Sequence, residues 1–358
     1  MHFTWTVKAS KLCNLRCRYC YEWPNLADPS RIPLAGWTRI IAAAKEYHTV
    51  QTGDDVAKGV SRFVWHGGEP LSLPVSYWQA VIGVQRKILR QETSQPIPHR
   101  NDVQTNLFSL PSPYLDLFEA EVTMVNVSFD GAPGTRVTKL GRPTEDQVIQ
   151  NMQRLRQRKI RFGANVVLGG HTKNGLVETY DLLKTVGASQ MTVIPLIAAE
   201  HFSNNAPFAI SSQEVVASLK ELYLHWSSDP NPIPVIPLNR YLRTVHLHQL
   251  NLRSADFDRA VKGERRLIVD TGGDLYVRIQ QSGPEHRLGN LFSQSLSQIL
   301  QSTPYVASLE RENRRRRRIC DGCVYRQACD TSPAMEAIGT QNNGPCPIAA
   351  PLCDFIAA

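Results

Sequence analysis

Three thiols stand within eight residues near the N-terminus, in the stretch Cys13-Asn14-Leu15-Arg16-Cys17-Arg18-Tyr19-Cys20. Thiolates at these spacings can converge on one iron–sulfur cluster and leave one iron without a protein ligand, open to a small molecule. A structural zinc site needs four closed ligands, and after Cys20 no further Cys or His occurs until His48. Unrelated core thiols would not cluster in this way. A second group closes the chain: Cys320, Cys323 and Cys329 at intervals of three and six, then Cys346 and Cys353. No cysteine falls between Cys20 and Cys320. The eight therefore read as two donor sets. Spacing alone leaves the second set open to a cluster or to a zinc knuckle that uses four of its five thiols.

The composition sets the context for that chemistry. The chain has 358 residues, enough for one large domain and a smaller one, with 42% hydrophobic and 20% charged residues. No apolar run is long enough to span a bilayer. The start, Met1-His2-Phe3-Thr4-Trp5, lacks the basic and apolar regions of a secretory signal, so a reducing, cytoplasmic location is expected. The formal charge of +8 owes part of its excess to the run Arg314–Arg318. No aromatic residues interleave that run, so nucleic acid is not the expected partner, and an acidic peptide suits the charge as well.

The elements that must position these donors alternate between two periodicities. Strands are expected at Phe3–Val7, Arg62–His66, Asp102–Thr105, Val122–Phe129, Arg161–Leu168 and Gln190–Leu196. Helices are expected at Leu34–His48, Tyr77–Leu89, Tyr114–Glu119, Thr144–Arg158 and Leu176–Val186, with one more from Ser211 to Trp226 capped by Ser211 or Ser212. Six strand–helix rounds predict an α/β fold, an open partial (β/α)6 barrel of parallel strands with its functional loops at the strand C-terminal ends. A proline-rich stretch from Ser228 then marks a change of pattern. Residues 1–225 are expected to form the barrel, 226–258 a connector, and 259–358 a small loop-rich cluster-binding domain. In the last, Arg266–Asp270 and Asp274–Arg278 flank Thr-Gly-Gly as a hairpin.

The second strand runs into Trp65-His66-Gly67-Gly68-Glu69-Pro70, where paired glycines let backbone approach a ligand and a carboxylate can hold an ammonium group. His66 beside them reads more readily as a loop-shaping residue than as a base. Cys13, Cys17 and Cys20, with Tyr19 before the last, together with Gly67-Gly68-Glu69-Pro70, resemble the radical S-adenosylmethionine (SAM) superfamily. The resemblance covers about residues 1–225 and implies a [4Fe-4S] cluster on the three thiolates, SAM as second cofactor, and the glycine motif on the amino group of SAM. It further implies SAM contacts from Gln104 and Asn106 at the third strand's end, and from Ser128 and Asp130 at the fourth. Arg142 would pair the methionine carboxylate, and Ile194–Leu196 would line the adenine.

The C-terminal thiols, the hairpin and Leu288-Gly289-Asn290 resemble the auxiliary-cluster domain called SPASM, found in peptide-modifying members. This chain departs from the pattern: Arg278 and Pro333 stand where cysteines are usual, and none precedes the hairpin. The resemblance then implies one auxiliary [4Fe-4S] cluster on Cys320, Cys323, Cys329 and Cys353, with Cys346 as the alternative ligand or a hydrogen donor. It implies a maturase of ribosomally made peptides whose partners are a precursor peptide and an electron donor such as flavodoxin or ferredoxin. The reaction expected is an oxidative side-chain cross-link; the alternatives are epimerisation, sulfatase-maturase-like protein modification, a sugar or nucleoside substrate, and a non-enzymatic metal-binding adaptor. The two donor sets predict about eight irons in anaerobically reconstituted protein, as two four-iron clusters. About twelve by iron assay, or zinc in the tail, would refute that count.

Overall fold

The computed structural model describes residues 2–93, 95–196, 207–254, 266–278, 283–329 and 346–358. Strand β1 (His2–Ser10) buries Phe3, Trp5, Val7 and Ala9, while Thr4, Thr6, Lys8 and Ser10 alternate with them. Side chains of a strand point to opposite faces in turn, so β1 has one apolar and one polar face. The same alternation recurs in β2 (Val60–Gly67), β3 (His99–Thr105), β4 (Val122–Ser128), β5 (Phe162–Leu168) and β6 (Met191–Pro195). These six pair in sequence order, all parallel. A parallel sheet covered on both faces reads as continuous apolar runs; alternation here leaves the second face lined by Lys8, His66, Gln104, Asn126, Ser128 and Asn165.

Helices α1 (Leu34–Thr52), α2 (Val75–Arg86), α3 (Ser112–Glu121), α4 (Glu145–Gln157) and α5 (Leu176–Val186) cover the apolar face. Their cores are aromatic where the strands are: Trp65 stacks on Trp78 with ring centroids 4.3 Å apart, and Tyr47 meets Phe3 edge-on at 5.6 Å. Such pairs add about 0.5–1.5 kcal/mol beyond burial. Helix α6 (Ser212–Ser228) starts with a capping box, Ser211 and Glu214 each satisfying the other's backbone.

The sheet is longer than six strands. Strand β7 (Val235–Ile236) pairs with β6, and at the opposite edge β8 (Arg266–Val269) pairs in parallel with β1. Strands β9 (Asp274–Tyr276) and β10 (Gly289–Asn290) continue it antiparallel, giving the order β10-β9-β8-β1-β2-β3-β4-β5-β6-β7. The expected hairpin is present, but as an extension of the barrel sheet. Local periodicity identifies a strand and cannot identify a partner so distant in sequence, and two residues among prolines carry no alternation to read.

The stretch expected as a connector carries a helix, α7 (Leu238–Gln249), and the C-terminal segment is more helical than expected, with α8 (Leu296–Leu300), α9 (Thr303–Cys320) and α10 (Ala349–Ala357). The arginine run closes α9, where Arg317 and Arg318 lie exposed in the last turn and favour the helix dipole. One apolar core runs from Phe3 through Leu267 to Cys353. Among the described residues no helix is long and apolar enough to cross a membrane. Because β8 covers the outer edge of β1 and Leu267 and Val269 are buried in the common core, a chain ending at Ser254 should aggregate. Recovery of a soluble monomer with a cooperative melt, by size-exclusion chromatography and calorimetry, would show instead that the barrel folds alone.

Candidate active site

Strand β1 ends at Ser10 and the chain passes directly into the cysteine loop. Strand β2 ends beside it: Gly68 N donates to Ser10 O at 2.8 Å and Glu69 N to Leu12 O at 2.9 Å. A Cβ on Gly67 would stand 2.1 Å from Ser10 O, and one on Gly68 2.3 Å from Lys11 O; Gly67 also has φ +127°. The paired glycines thus admit the chain's own cysteine loop at a distance that no side chain allows. Pro70 is buried behind them, its carbonyl accepting from Trp78 Nε1 at 3.2 Å.

The Glu69 carboxylate is buried and accepts from Leu71 N at 2.9 Å, Thr105 Oγ1 at 2.7 Å and Asn106 N at 2.7 Å. Burial pushes its carboxyl up to about 7. The group expected to hold an ammonium is engaged by the chain's own donors and ties β2 to the end of β3. Asn106 carries the link onward, its Nδ2 lying 2.8 Å from Asn14 Oδ1 and 3.8 Å from Cys13 Sγ. Gln104 Nε2 donates to Ser128 Oγ at 2.7 Å, and Asn165 Nδ2 donates to Gln104 Oε1. This makes a polar row across the ends of β3, β4 and β5. Asn165 was missed because only the adjacency of β4 and β5 brings it there. Leu196 follows β6, half-buried, with its N on Leu168 O at 2.8 Å.

Asp130, expected at the cofactor, lies beneath the cysteine loop. Its Oδ2 accepts from Arg136 Nε at 2.9 Å and from the Tyr19 hydroxyl; its Oδ1 accepts from Arg136 Nη2 at 3.2 Å and Val167 N at 2.9 Å. Burial opposes its charge, yet the Arg136 guanidinium, then His171 and the Tyr19 hydroxyl, hold the carboxyl down at about 2. Tyr19 stacks on His171 at 5.0 Å. Arg142, by contrast, is exposed, on the wall of an open cavity of about 470 Å³ also lined by Asn14, Phe108, Lys139 and Leu140. Of the two arginines, the buried one near the thiols is Arg136. No sequence signal distinguishes it, since an arginine in a loop has no periodicity.

The cysteine loop is pinned along its length. Cys13 N donates to Leu26 O at 3.2 Å, Arg16 N to Val137 O at 2.7 Å and Arg18 N to Thr135 O at 3.0 Å. Past Cys20, Glu22 pairs with Lys8 of β1 at 2.5 Å, both buried. His66 Nδ1 accepts from Gly67 N at 2.7 Å, and burial, reinforced by Lys8, brings its ring down to about 4. His66 is therefore neutral near pH 7 and shapes the loop. Cys13, Cys17 and Cys20 share one small apolar cluster with Leu15, Leu26 and Phe108, and burial pushes the Cys13 and Cys20 thiols up to about 12.

In the C-terminal set, Cys320 ends α9, Cys323 N turns back to Cys320 O at 3.0 Å, and Cys329 N donates to Tyr325 O at 2.8 Å. Cys353 is buried on α10. Tyr325 OH donates to the adjacent Asp354 Oδ1 at 3.0 Å, which brings the two cysteine segments together. Cys346 is half-buried just ahead of α10, and Arg278 just past β9. Pro333 lies outside the described residues. All eight cysteines are thiols.

A parallel sheet whose β1 and β2 ends hold a three-thiol loop against a glycine pair defines the class. The chain carries a radical SAM domain: the Radical SAM superfamily description matches residues 7–183. It is a radical SAM enzyme, similar to the serine-type anaerobic sulfatase-maturating enzyme of Klebsiella aerogenes, 23% identical over 340 residues covering 93% of this chain and 80% of that one. In fold it is similar to native anSMEcpe with bound AdoMet and Cp18Cys peptide, at TM-score 0.72 and 17% identity over 99% of this chain and 94% of that one. It is also similar to Streptococcus suis SuiB bound to precursor peptide SuiA, at TM-score 0.64 and 13% identity over 98% and 75% of the two chains.

The family's cofactors are a [4Fe-4S] cluster and SAM, and the donors fit them. Cys13, Cys17 and Cys20 offer thiols only, on one loop and in one apolar cluster, the donor type a four-iron cluster takes.

Two outcomes follow from this geometry. Gly68→Ala, with its Cβ forced onto two carbonyls, should lower iron bound per chain at least several-fold by iron assay while the helical content is kept. Wild-type iron content would refute the constraint. For Glu69, whose folded carboxyl is raised from 4.5 to about 7, the stability it contributes is present below 4.5 and is lost as pH rises through 7. In denaturant titrations of the cluster-free chain, wild type should lose stability relative to Glu69→Gln across that window. A difference that does not change with pH would place the group in contact with water.

Proposed function

We propose that the chain modifies a peptide or protein side chain by net removal of two hydrogens. When bound, the two groups supply opposite chemistry: reductive cleavage of SAM to a 5′-deoxyadenosyl radical at the N-terminal site, and an electron acceptor at the C-terminal one. The substrate gives up one hydrogen atom, then one electron and one proton. The observation that carries this reading is that one chain holds two separate thiol sets, Cys13, Cys17 and Cys20 on the loop after β1 and Cys320, Cys323, Cys329 and Cys353 around α9 and α10. Support comes from relatives named as sulfatase-maturating enzymes and from folds shared with proteins captured with peptides.

Gly67, Gly68 and Glu69 hold the cysteine loop in place, Asn106 steadies Cys13, and the Gln104–Ser128–Asn165 row presents polar groups where SAM would lie. The polar sheet face gives a substrate hydrogen-bonding partners in place of water. The finer outcome we favour is a cross-link, in which the substrate radical adds to a neighbouring side chain before electron and proton leave. A second reading, favoured by the relative that covers 93% of this chain, places the radical on a carbon bearing a hydroxyl, and the same losses give a carbonyl.

Reconstituted protein with SAM and a chemical reductant should yield 5′-deoxyadenosine, and Cys13, Cys17 and Cys20 together replaced by Ala should yield none. With a peptide substrate, the product should be two hydrogens lighter by mass spectrometry and stay so in Cys346→Ala. Reaction with a hydrazide would establish the carbonyl in place of the cross-link. Unchanged mass with solvent deuterium at an α-carbon, lost in Cys346→Ala, would overturn the proposal in favour of epimerisation.

A further inference from the structure

A largely enclosed cation, Arg136, lies under the cysteine loop beside Cys17. Arg136 is 12% exposed, and its guanidinium is gripped by Asp130 through two parallel contacts, Nε–Oδ2 at 2.9 Å and Nη2–Oδ1 at 3.2 Å. Its remaining terminal nitrogen, Nη1, lies 3.9 Å from Cys17 Sγ. The ring of Tyr19 faces the same guanidinium at 5.4 Å, and its hydroxyl closes on Asp130. Asp130 is in turn fixed by Val167 N of β5. The arginine therefore has one orientation, with its fork on the carboxylate and its free edge on a cluster ligand.

We propose that Arg136 sets the reduction potential of the cluster held by Cys13, Cys17 and Cys20, stabilising its reduced form from the Cys17 side. This rests on the assignment of those thiols to the cluster. A cluster's potential depends on its net charge, on hydrogen bonds to its sulfurs and on exposure to solvent. Reduction adds one electron, so a fixed cation at a ligand sulfur stabilises the reduced state more than the oxidised one. The neighbouring Asp130 would cancel this if it stood equally close, but it sits behind the guanidinium, and at Cys17 the arginine's charge outweighs the carboxylate's. Burial keeps the interaction strong, because little water intervenes.

Arg136 is a positioning residue as well, since Thr135 and Val137 on either side accept hydrogen bonds from Arg18 and Arg16 of the cysteine loop. The test therefore reads potential on loaded protein. First, wild type must assemble a cluster whose EPR signal responds to SAM, and the Cys13/Cys17/Cys20 triple Ala variant must lack it; failure there refutes the ligand assignment itself. Arg136→Gln, with iron at the wild-type level, should then show at least a tenfold smaller ratio of reduced to oxidised cluster at a fixed potential, a fall of ~59 mV for one electron. Arg136→Lys should stay within a few-fold of wild type. Asp130→Asn, which leaves the cation uncompensated, should move the potential in the opposite direction. An unchanged potential in loaded Arg136→Gln, or in loaded Asp130→Asn if the first variant does not assemble, overturns the proposal. Failure of both to load iron overturns it too, because Arg136 would then serve assembly alone.

Discussion

The candidate site depends on a contact between two strand ends with no room for a side chain. The end of β2 lies on the backbone of residues 10–12 so closely that any Cβ at Gly67 or Gly68 would collide with a carbonyl. Backbone cannot give way as a flexible side chain can, so this contact sets where the cysteine loop begins relative to the sheet. The hydrogen bonds from Gly68 and Glu69 then lock the register, and the Glu69 carboxylate transmits it to β3. The position of Cys13 follows from this chain of contacts through Asn106.

Beyond that point the loop is held mostly by polar anchors. Its apolar cluster is small, with Leu15 and Leu26 as its buried aliphatic members. Two buried ion pairs flank it, Lys8–Glu22 on the β1 side and Arg136–Asp130 on the β4 side. Replacing such pairs by apolar residues is often neutral for stability, whereas breaking one costs about 3–5 kcal/mol. Their service here is directional: each fixes a segment of loop that too few apolar contacts hold. A loop built this way can present half-buried thiols without collapsing around them.

The strands, their order and the helices of the first half were legible because alternation and helical periodicity are local properties, as Phe3–Trp5–Val7 and the Ser211–Glu214 cap illustrate. The thiol sets were legible because Cys13, Cys17 and Cys20, and again Cys320, Cys323 and Cys329, are close neighbours in the chain, with no cysteine between the two groups. What escaped was non-local. That β8 pairs with β1 depends on a partner far away in sequence, and that Asn165 meets Gln104 depends on three strands being in register. Glu69 and Asp130 were legible as carboxylates at strand ends, but the chain's own donors around them were not. Residue type shows that a carboxylate is present, whereas burial and neighbouring donors decide what it holds. Arg136 escaped for the converse reason, having no pattern around it and every partner supplied by the fold.

The sheet order explains how one fold can carry two separate donor sets. Strand β1 has β2 on one side and β8 on the other, so the cysteine loop leaves from an interior strand and not from an edge. Each anchor described for that loop comes from residues 8–171, from Lys8 of β1 to Val167 of β5 and His171 just beyond it. The C-terminal thiols take their surroundings from α7, α9 and α10, through Tyr241, Tyr325 and Asp354. The two sets share none of these anchors, and they pack in different apolar clusters. Since energetic coupling between sites travels through shared contacts, the geometry of one set is largely insulated from changes at the other. What joins them is the β1–β8 pairing, a backbone ladder backed by Trp5, Val7, Leu267 and Val269, all buried in the common core.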